Sequence, residues 1–430
     1  MDNGEDMKTI ILKGNILHSI SKDKIEVLDQ HFLISEEGKV VGIFRDLPSK
    51  YEGQQVADYG NKLIIPGLVD MHIHAPQYAF RGLNMDLELL PWLNQNAFAE
   101  EMKYHDEEYA TKAYAMFADD LINGATTRAN IFATIHNSGT LILMEMLEKS
   151  GLKTLVGKVN MDRNAPNALC EKSAKQSVED TKEWLKACSK FHHTKPILTP
   201  RFIPSCTDEL MEGLGNIQRS EKLPVQSHLS ENKSEIEWVR ELHPETSTYG
   251  GAYEKYGLFG GENCKTVMAH CVYSPDEEIQ LMAKNDVFVA HCPNSNTNLS
   301  SGIAPVRKYL DAGVKIGLGS DVAGGFSASM LRAMSDTIQN SKLYWRLVDE
   351  KCTPLHLEET FFLATKGGGE FFGKVGCFDE GYEFDALVLD DADIPCPYEL
   401  TSLQRLERII YLGTYNNVVA KYVQGSKVKG

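Results

Sequence analysis

The sequence predicts an α/β protein, a (β/α)8 barrel carrying a small β-sandwich-like domain built from both chain ends. Two observations carry this reading. Eight short β-branched or apolar runs recur along the 430 residues, most of them followed by polar residues and a helix-like stretch, which is the pattern of βα units around a parallel sheet. Outside those runs, residues 8–60 and two segments near the C-terminus alternate apolar strands with turns and contain no helix-length periodic segment.

Taken in order, the N-terminal strands turn at Glu36-Glu37-Gly38-Lys39. The barrel strands are expected at 63–74, 125–132, 152–161, 196–202, 225–229, 266–273, 287–291 and 315–321. Helices with apolar residues at spacings of three and four are expected at 107–123, 175–190, 207–219 and 233–242. Two final strands, 385–389 and 418–423, join the N-terminal ones, which divides the chain into 1–65 and 376–430 for the small domain and 66–375 for the barrel. No repeat with a period of 20 to 50 residues is present.

Composition narrows the function classes. Hydrophobic residues make up 42% and charged residues 24%, near soluble averages, and no run approaches the roughly 18 apolar residues of a membrane span. The start, MDNGEDMKTI, is acidic and leads into no apolar h-region, so a cytoplasmic location is expected. The nine cysteines form no CxxC pair and read as reduced thiols. A formal net charge of −16 disfavours a nucleic-acid polymer as partner and leaves a small neutral substrate open.

In a barrel of this kind the chemistry lies at the carboxyl ends of the strands. The first run ends in His72-Ile73-His74, the fifth carries His228, the sixth His270 and the eighth Asp321. Alternate residues of a strand share a side, so His72 and His74 can aim at one ion. With 13 histidines in the chain, an HxH pair says little alone; the other strand ends give it weight. His228 adds a third imidazole and Asp321 a carboxylate, the N and O donors that zinc accepts, with a position left for water, whose pKa falls to about 7 in such sites. Hydrolysis of a carbon–nitrogen bond also needs a proton carrier, and Glu231, three residues after His228, is placed for it. His270 reads as a group that orients the attacking water, or as a fifth ligand.

Other residues are weighed and set aside. His136, His192, His193 and His243 fall in loops or after helical stretches and read as surface histidines. Asp70 reads equally as a partner of the metal ligands or as a barrel-floor carboxylate. The segment Gly368-Gly369-Glu370-Phe371-Phe372-Gly373-Lys374-Val375 comes near a phosphate-binding loop, but Val375 stands where a hydroxyl must hold magnesium and the segment follows a helical run. Gly317-Leu318-Gly319 lacks the third glycine of a dinucleotide fingerprint.

The run Pro66-Gly67-Leu68-Val69-Asp70-Met71-His72-Ile73-His74 resembles the amidohydrolases. More narrowly, its continuation Ala75-Pro76-Gln77-Tyr78 is similar to the guanine deaminase family, as are Thr199-Pro200-Arg201-Phe202, Ser227-His228-Leu229-Ser230-Glu231, Val267-Met268-Ala269-His270, His291-Cys292-Pro293-Asn294-Ser295-Asn296 and Ser320-Asp321-Val322-Ala323-Gly324-Gly325. The likeness extends over nearly the whole chain, and Gln77 with Arg201-Phe202 is its most specific part. It implies a TIM barrel with one zinc, or Fe2+, on His72, His74, His228 and Asp321. It also implies proton transfer by Glu231 and Asp321 with His270 beside them, and guanine held by Gln77, Arg201, Phe202, His270 and Glu231. Water is the second substrate and a homodimer the expected assembly. An amide offers a paired donor and acceptor, and a guanidinium donates to a 6-oxo group where adenine presents an amino donor. No lysine stands at the end of the fourth strand, where two-metal relatives carry a bridging carbamylated one, so a single metal is implied. Met71 and Ile203 depart from the pattern and bear on pocket trim. The competing readings are a related zinc aminohydrolase acting on adenosine derivatives, cytosine or triazines, and a silent scaffold; the second conflicts with a complete ligand set and glutamate.

Overall fold

In the computed structural model, which describes residues 9–430, the eight barrel strands are Leu68–His74, Thr126–Phe132, Lys153–Gly157, Thr194–Pro196, Val225–Leu229, Thr266–His270, Phe288–His291 and Lys315–Leu318. They pair in parallel as two four-stranded sheets. The sheets meet through a parallel bridge between Leu198 and Val225 on one side. On the other side they meet through Asp321 N–H to His72 O at 2.9 Å and His74 N–H to Val322 O at 3.1 Å. That closure sets Asp321 directly across from the His72/His74 pair.

Three runs read as single strands are broken. Residues 63–66 pair with 386–389 at the chain ends, and barrel pairing with the second strand begins only at Leu68. Gly67 marks the break, because a Cβ there would lie 2.2 Å from Thr127 Oγ1. The third strand resumes at Val159–Asn160 beside Thr199–Pro200, which resumes the fourth. Pro196 and Pro200 donate no ladder hydrogen bonds, which accounts for the broken fourth strand.

Helices Glu107–Asn123 and Lys233–Leu242 coincide with the predicted ranges, and Ala174–Ala187 and Asp208–Glu221 nearly so. Side chains alternate across the strands: Val267, Ala269, Phe288 and Ala290 fill the barrel with Val69, Met71 and Ile197, while Met268 and Val289 face the surrounding helices. Phe371 and Val375 close the same interior core, so the loop-like glycine segment packs structure instead of cradling a phosphate. Met71 sits in that core and Ile203 in the outer one.

Both chain ends join one mixed seven-stranded sheet. It is held to the barrel by buried Arg128, which donates to Asp385 and Glu383 at 2.5 Å each. Buried Lys421 adds bonds to the carbonyls of Leu121 and Thr126 at 2.7 and 2.8 Å. His243, expected at the surface, is buried beside Asp208 and Glu245, because it caps the helix Lys233–Leu242 with its ring against Tyr256. His192 is exposed, and His136 and His193 are half-buried. No helix among the described residues is long and apolar enough to cross a membrane.

Candidate metal centre and substrate pocket

The sequence-predicted groups converge at the carboxyl ends of the strands. His74 Nε2 lies 3.2 Å from both His72 Nε2 and His228 Nε2. Asp321 Oδ1 lies 3.1 Å from His72 Nε2 and 3.4 Å from His74 Nε2. Donors bound at about 2.0–2.2 Å around a tetrahedral zinc stand about 3.3–3.6 Å from one another, so these four spacings are close to what one ion requires. The protonation states fit as well. Burial drives the His72 pKa down, and burial together with the neighbouring imidazole charge drives those of His74 and His228 well down, so all three rings are neutral donors. His228 Nδ1 donates to the Arg201 carbonyl at 2.6 Å, which fixes the tautomer and leaves the Nε2 lone pair facing the cluster. Lone pairs at this spacing repel unless a cation lies among them.

Asp70 ties this floor together, accepting from His72 N–H at 3.2 Å, Ser320 N–H at 3.0 Å and Ser320 Oγ at 2.5 Å. Its role is therefore to join the first and eighth strands behind the ligands. Several strand-end residues hold left-handed backbone, with φ of 73° at His270, 48° at Ser230 and 46° at Asp321. Such conformations cost about 1–3 kcal/mol each.

Above the floor, Glu231 Oε2 lies 3.5 Å from His270 Nε2, and Asp321 Oδ2 lies 3.8 Å from the same nitrogen. Burial, then the Asp321 charge, pushes the Glu231 pKa up to about 8. Burial would raise Asp321 too, but the hydrogen bond and close approach of His72, with His270 and His74 nearby, outweigh it and hold the group far below the carboxylate range. One carboxyl is thus kept protonated and its neighbour ionised at neutral pH. His270 Nδ1 meets Asn296 Oδ1 at 2.9 Å, so its Nε2 faces the two carboxyls.

The cleft over these groups holds about 430 Å³ of non-atom space, part of it open to solvent. His74, His228, Glu231, His270 and Asp321 form its floor; Gln77 and Arg201 form a polar wall; Phe202, Leu89, Trp92, Leu93 and Leu299 supply apolar faces. All the predicted site residues except His72 line it. His72 completes the metal set from beneath.

Three polar residues, Glu235, Ser301 and Glu101, escaped the sequence reading, and a fourth, Asn296, was quoted in the family likeness without a role. Glu235 also lines the cavity; its carboxylate accepts from Glu231 N–H at 3.1 Å, Asn232 N–H at 3.2 Å and Tyr249 Oη at 2.7 Å, and burial with the Glu231 charge pushes its pKa to about 7. Its signal was legible, since Asn232 and Glu235 form the capping box that opens the helix Lys233–Leu242. Ser301 donates to Glu231 Oε1 at 3.2 Å, and Asn296 holds His270. Glu101 bonds both Gln77 and Arg201. A second cluster of metal-type donors, His18, Cys377 and Asp379, sits between the sheet and the barrel. Its groups are already engaged: Lys366 Nζ donates to Asp379 at 3.0 Å, Phe378 N–H points at His18 Nδ1 at 3.3 Å, and Glu26 meets His18 Nε2 at 3.2 Å.

With this geometry in place, the amidohydrolase family profile matches residues 63–428. The chain belongs to the amidohydrolase family. This amidohydrolase is 38% identical to guanine deaminase of Dictyostelium discoideum, over 97% of this chain and 98% of that one. It is 37% identical to guanine deaminase of Homo sapiens, over 97% and 96% of the two chains. Among solved structures, guanine deaminase from C. acetobutylicum with bound guanine in the active site superposes with a TM-score of 0.95, at 46% identity over 97% of this chain and 99% of that one.

Proposed function

We propose that this amidohydrolase is a guanine deaminase, converting guanine and water to xanthine and ammonia. The observation that carries the proposal is one cleft that joins a cluster of metal-type donors to the Gln77–Arg201 wall, in a chain so similar to a structure with guanine bound. His72, His74, His228 and Asp321 would hold a zinc ion, which would supply water acidified to a pKa of about 7 at the cavity floor.

The chain's own groups do the rest. Arg201 donates to the 6-oxo oxygen and Gln77 bonds the heterocycle edge, which sets C2 over the floor. Phe202 and the apolar faces cover the ring and exclude bulk water. Asp321, ionised, accepts the proton of the attacking water, while His270 orients that water from the other side. Glu231, protonated at neutral pH, delivers a proton to N3. Water oxygen bonds to C2 and the C2–N bond breaks. The proton held by Asp321 passes to the amine and the remaining hydroxyl proton returns to Glu231, so both carboxyls are restored as ammonia and xanthine leave.

Ammonia release from guanine, adenine and cytosine, before and after chelation, tests this reading. Release from guanine alone, abolished by chelation and restored by zinc, is expected; preference for adenine or cytosine would overturn it. We also propose a cytoplasmic homodimer. The exposed apolar side chains Leu343, Leu347, Tyr411 and Leu412 support pairing, and sedimentation at twice the chain mass is the expected result.

A further inference from the structure

The polar wall of the cavity is set from behind by a residue that does not itself line the cavity. Glu101 ends the short helix Phe98–Glu101, in the segment between the first barrel strand and the helix Glu107–Asn123. It is 2% exposed. One carboxylate oxygen accepts from Arg201 Nη1 at 2.5 Å; the other accepts from Arg201 Nη2 at 3.0 Å and from Gln77 Nε2 at 2.8 Å. Phe98, from the same helix, places its ring 5.1 Å from the Arg201 guanidinium carbon. Both groups of the wall are therefore held by a single carboxylate.

Counting donors and acceptors gives the consequence. Gln77 Oε1 accepts the Ala323 N–H at 3.2 Å, and its Nε2 faces a carboxylate that can only accept. The amide orientation is fixed by both partners, and what it has left to donate is one N–H. Arg201 spends two of its N–H groups on Glu101, and the guanidinium has no acceptor to offer. Glu101 thus absorbs the back of the wall and leaves its cavity side rich in donors. An oxo edge satisfies such a wall. An amino edge leaves donors facing donors, and each such buried mismatch weakens binding.

We propose that Glu101 is a positioning residue that sets selectivity for a 6-oxo over a 6-amino purine, acting through Arg201 and Gln77. This rests on the guanine reading above. Replacing the carboxylate by an amide removes the charge and one acceptor, so Arg201 and Gln77 are no longer both held by one group. The preference for the oxo edge then falls, while the metal ligands and Glu231 keep their places.

The test uses equilibrium binding of hypoxanthine and adenine, which share one ring system and differ at C6, to the zinc-loaded protein and to Glu101→Gln, with zinc content and far-ultraviolet circular dichroism measured on the same samples. The expected result is a hypoxanthine-over-adenine preference that shrinks at least about tenfold in Glu101→Gln. Glu101→Asp, which keeps the charge, retains more of the preference and is read in its place if the amide variant does not fold. Turnover gives a parallel readout. The ratio of kcat/KM for guanine to that for 2,6-diaminopurine falls with the binding preference, and KM for guanine rises more than kcat falls. Equal losses for both purines, as a merely structural role would give, or an unchanged preference would overturn the proposal. Oxo-selective binding by a wild-type protein that releases no ammonia from guanine would overturn the deaminase reading and leave the Glu101 assignment standing.

Discussion

The floor and the wall of the same cavity are built on opposite principles. The floor brings together neutral imidazoles and an ionised carboxylate whose lone pairs converge, so it is complete only with a cation. The wall is satisfied within the protein, because Glu101 takes the rear donors of Arg201 and Gln77 and leaves their front donors for a ligand. Reactivity resides in the unsatisfied part, selectivity in the satisfied one. Damage to each should therefore have a different signature.

The largest expected effect lies on the floor. His72→Ala or Asp321→Ala should lose bound zinc and turnover together, by more than about 10³-fold, because one missing donor opens the coordination set. Zinc analysis alongside ammonia release checks it, and full turnover with metal retained would separate the cluster from the chemistry.

Next, Glu231→Gln should retain zinc and lose about 10²–10⁴ in kcat, the ordinary worth of a placed proton carrier. Retained turnover would move that role to another group. A smaller loss, about 10–100-fold in kcat with KM little changed, is expected from Glu235→Gln, since the variant disturbs the two backbone N–H groups that aim Glu231. A KM effect of the same size would instead assign Glu235 to the wall.

The mildest test is pH. Glu231 must be protonated to act as an acid, and its pKa is pushed up to about 8. The active form therefore dominates below that value and is lost above it. The expected kcat falls about tenfold per pH unit above about 8, and the Glu231→Gln variant lacks this limb. A limb that persists in the variant belongs to a different group.

The floor was legible in the sequence and the wall only partly so, for a physical reason. Candidate metal ligands at strand ends follow the period of two and the barrel's polarity, so the convergence of His72, His74, His228 and Asp321 could be expected by counting. Glu231 followed from its neighbour. Gln77, Arg201 and Phe202 came from resemblance, because nothing in their spacing marks them. Glu101 has no local signal at all. It arrives on a four-residue helix from a segment without periodicity, and its partners lie 24 and 100 residues away. The end of the first barrel strand was read correctly, but its start was not, since an apolar run does not reveal that residues 63–66 pair with the other chain end.

Metal content joined to X-ray absorption tests the central claim most directly. The expected result is one zinc per chain with nitrogen and oxygen donors at about 2.0–2.2 Å and no sulfur. Sulfur at about 2.3 Å would place the ion near Cys377 instead, and would contradict the account of the barrel mouth as the reactive centre.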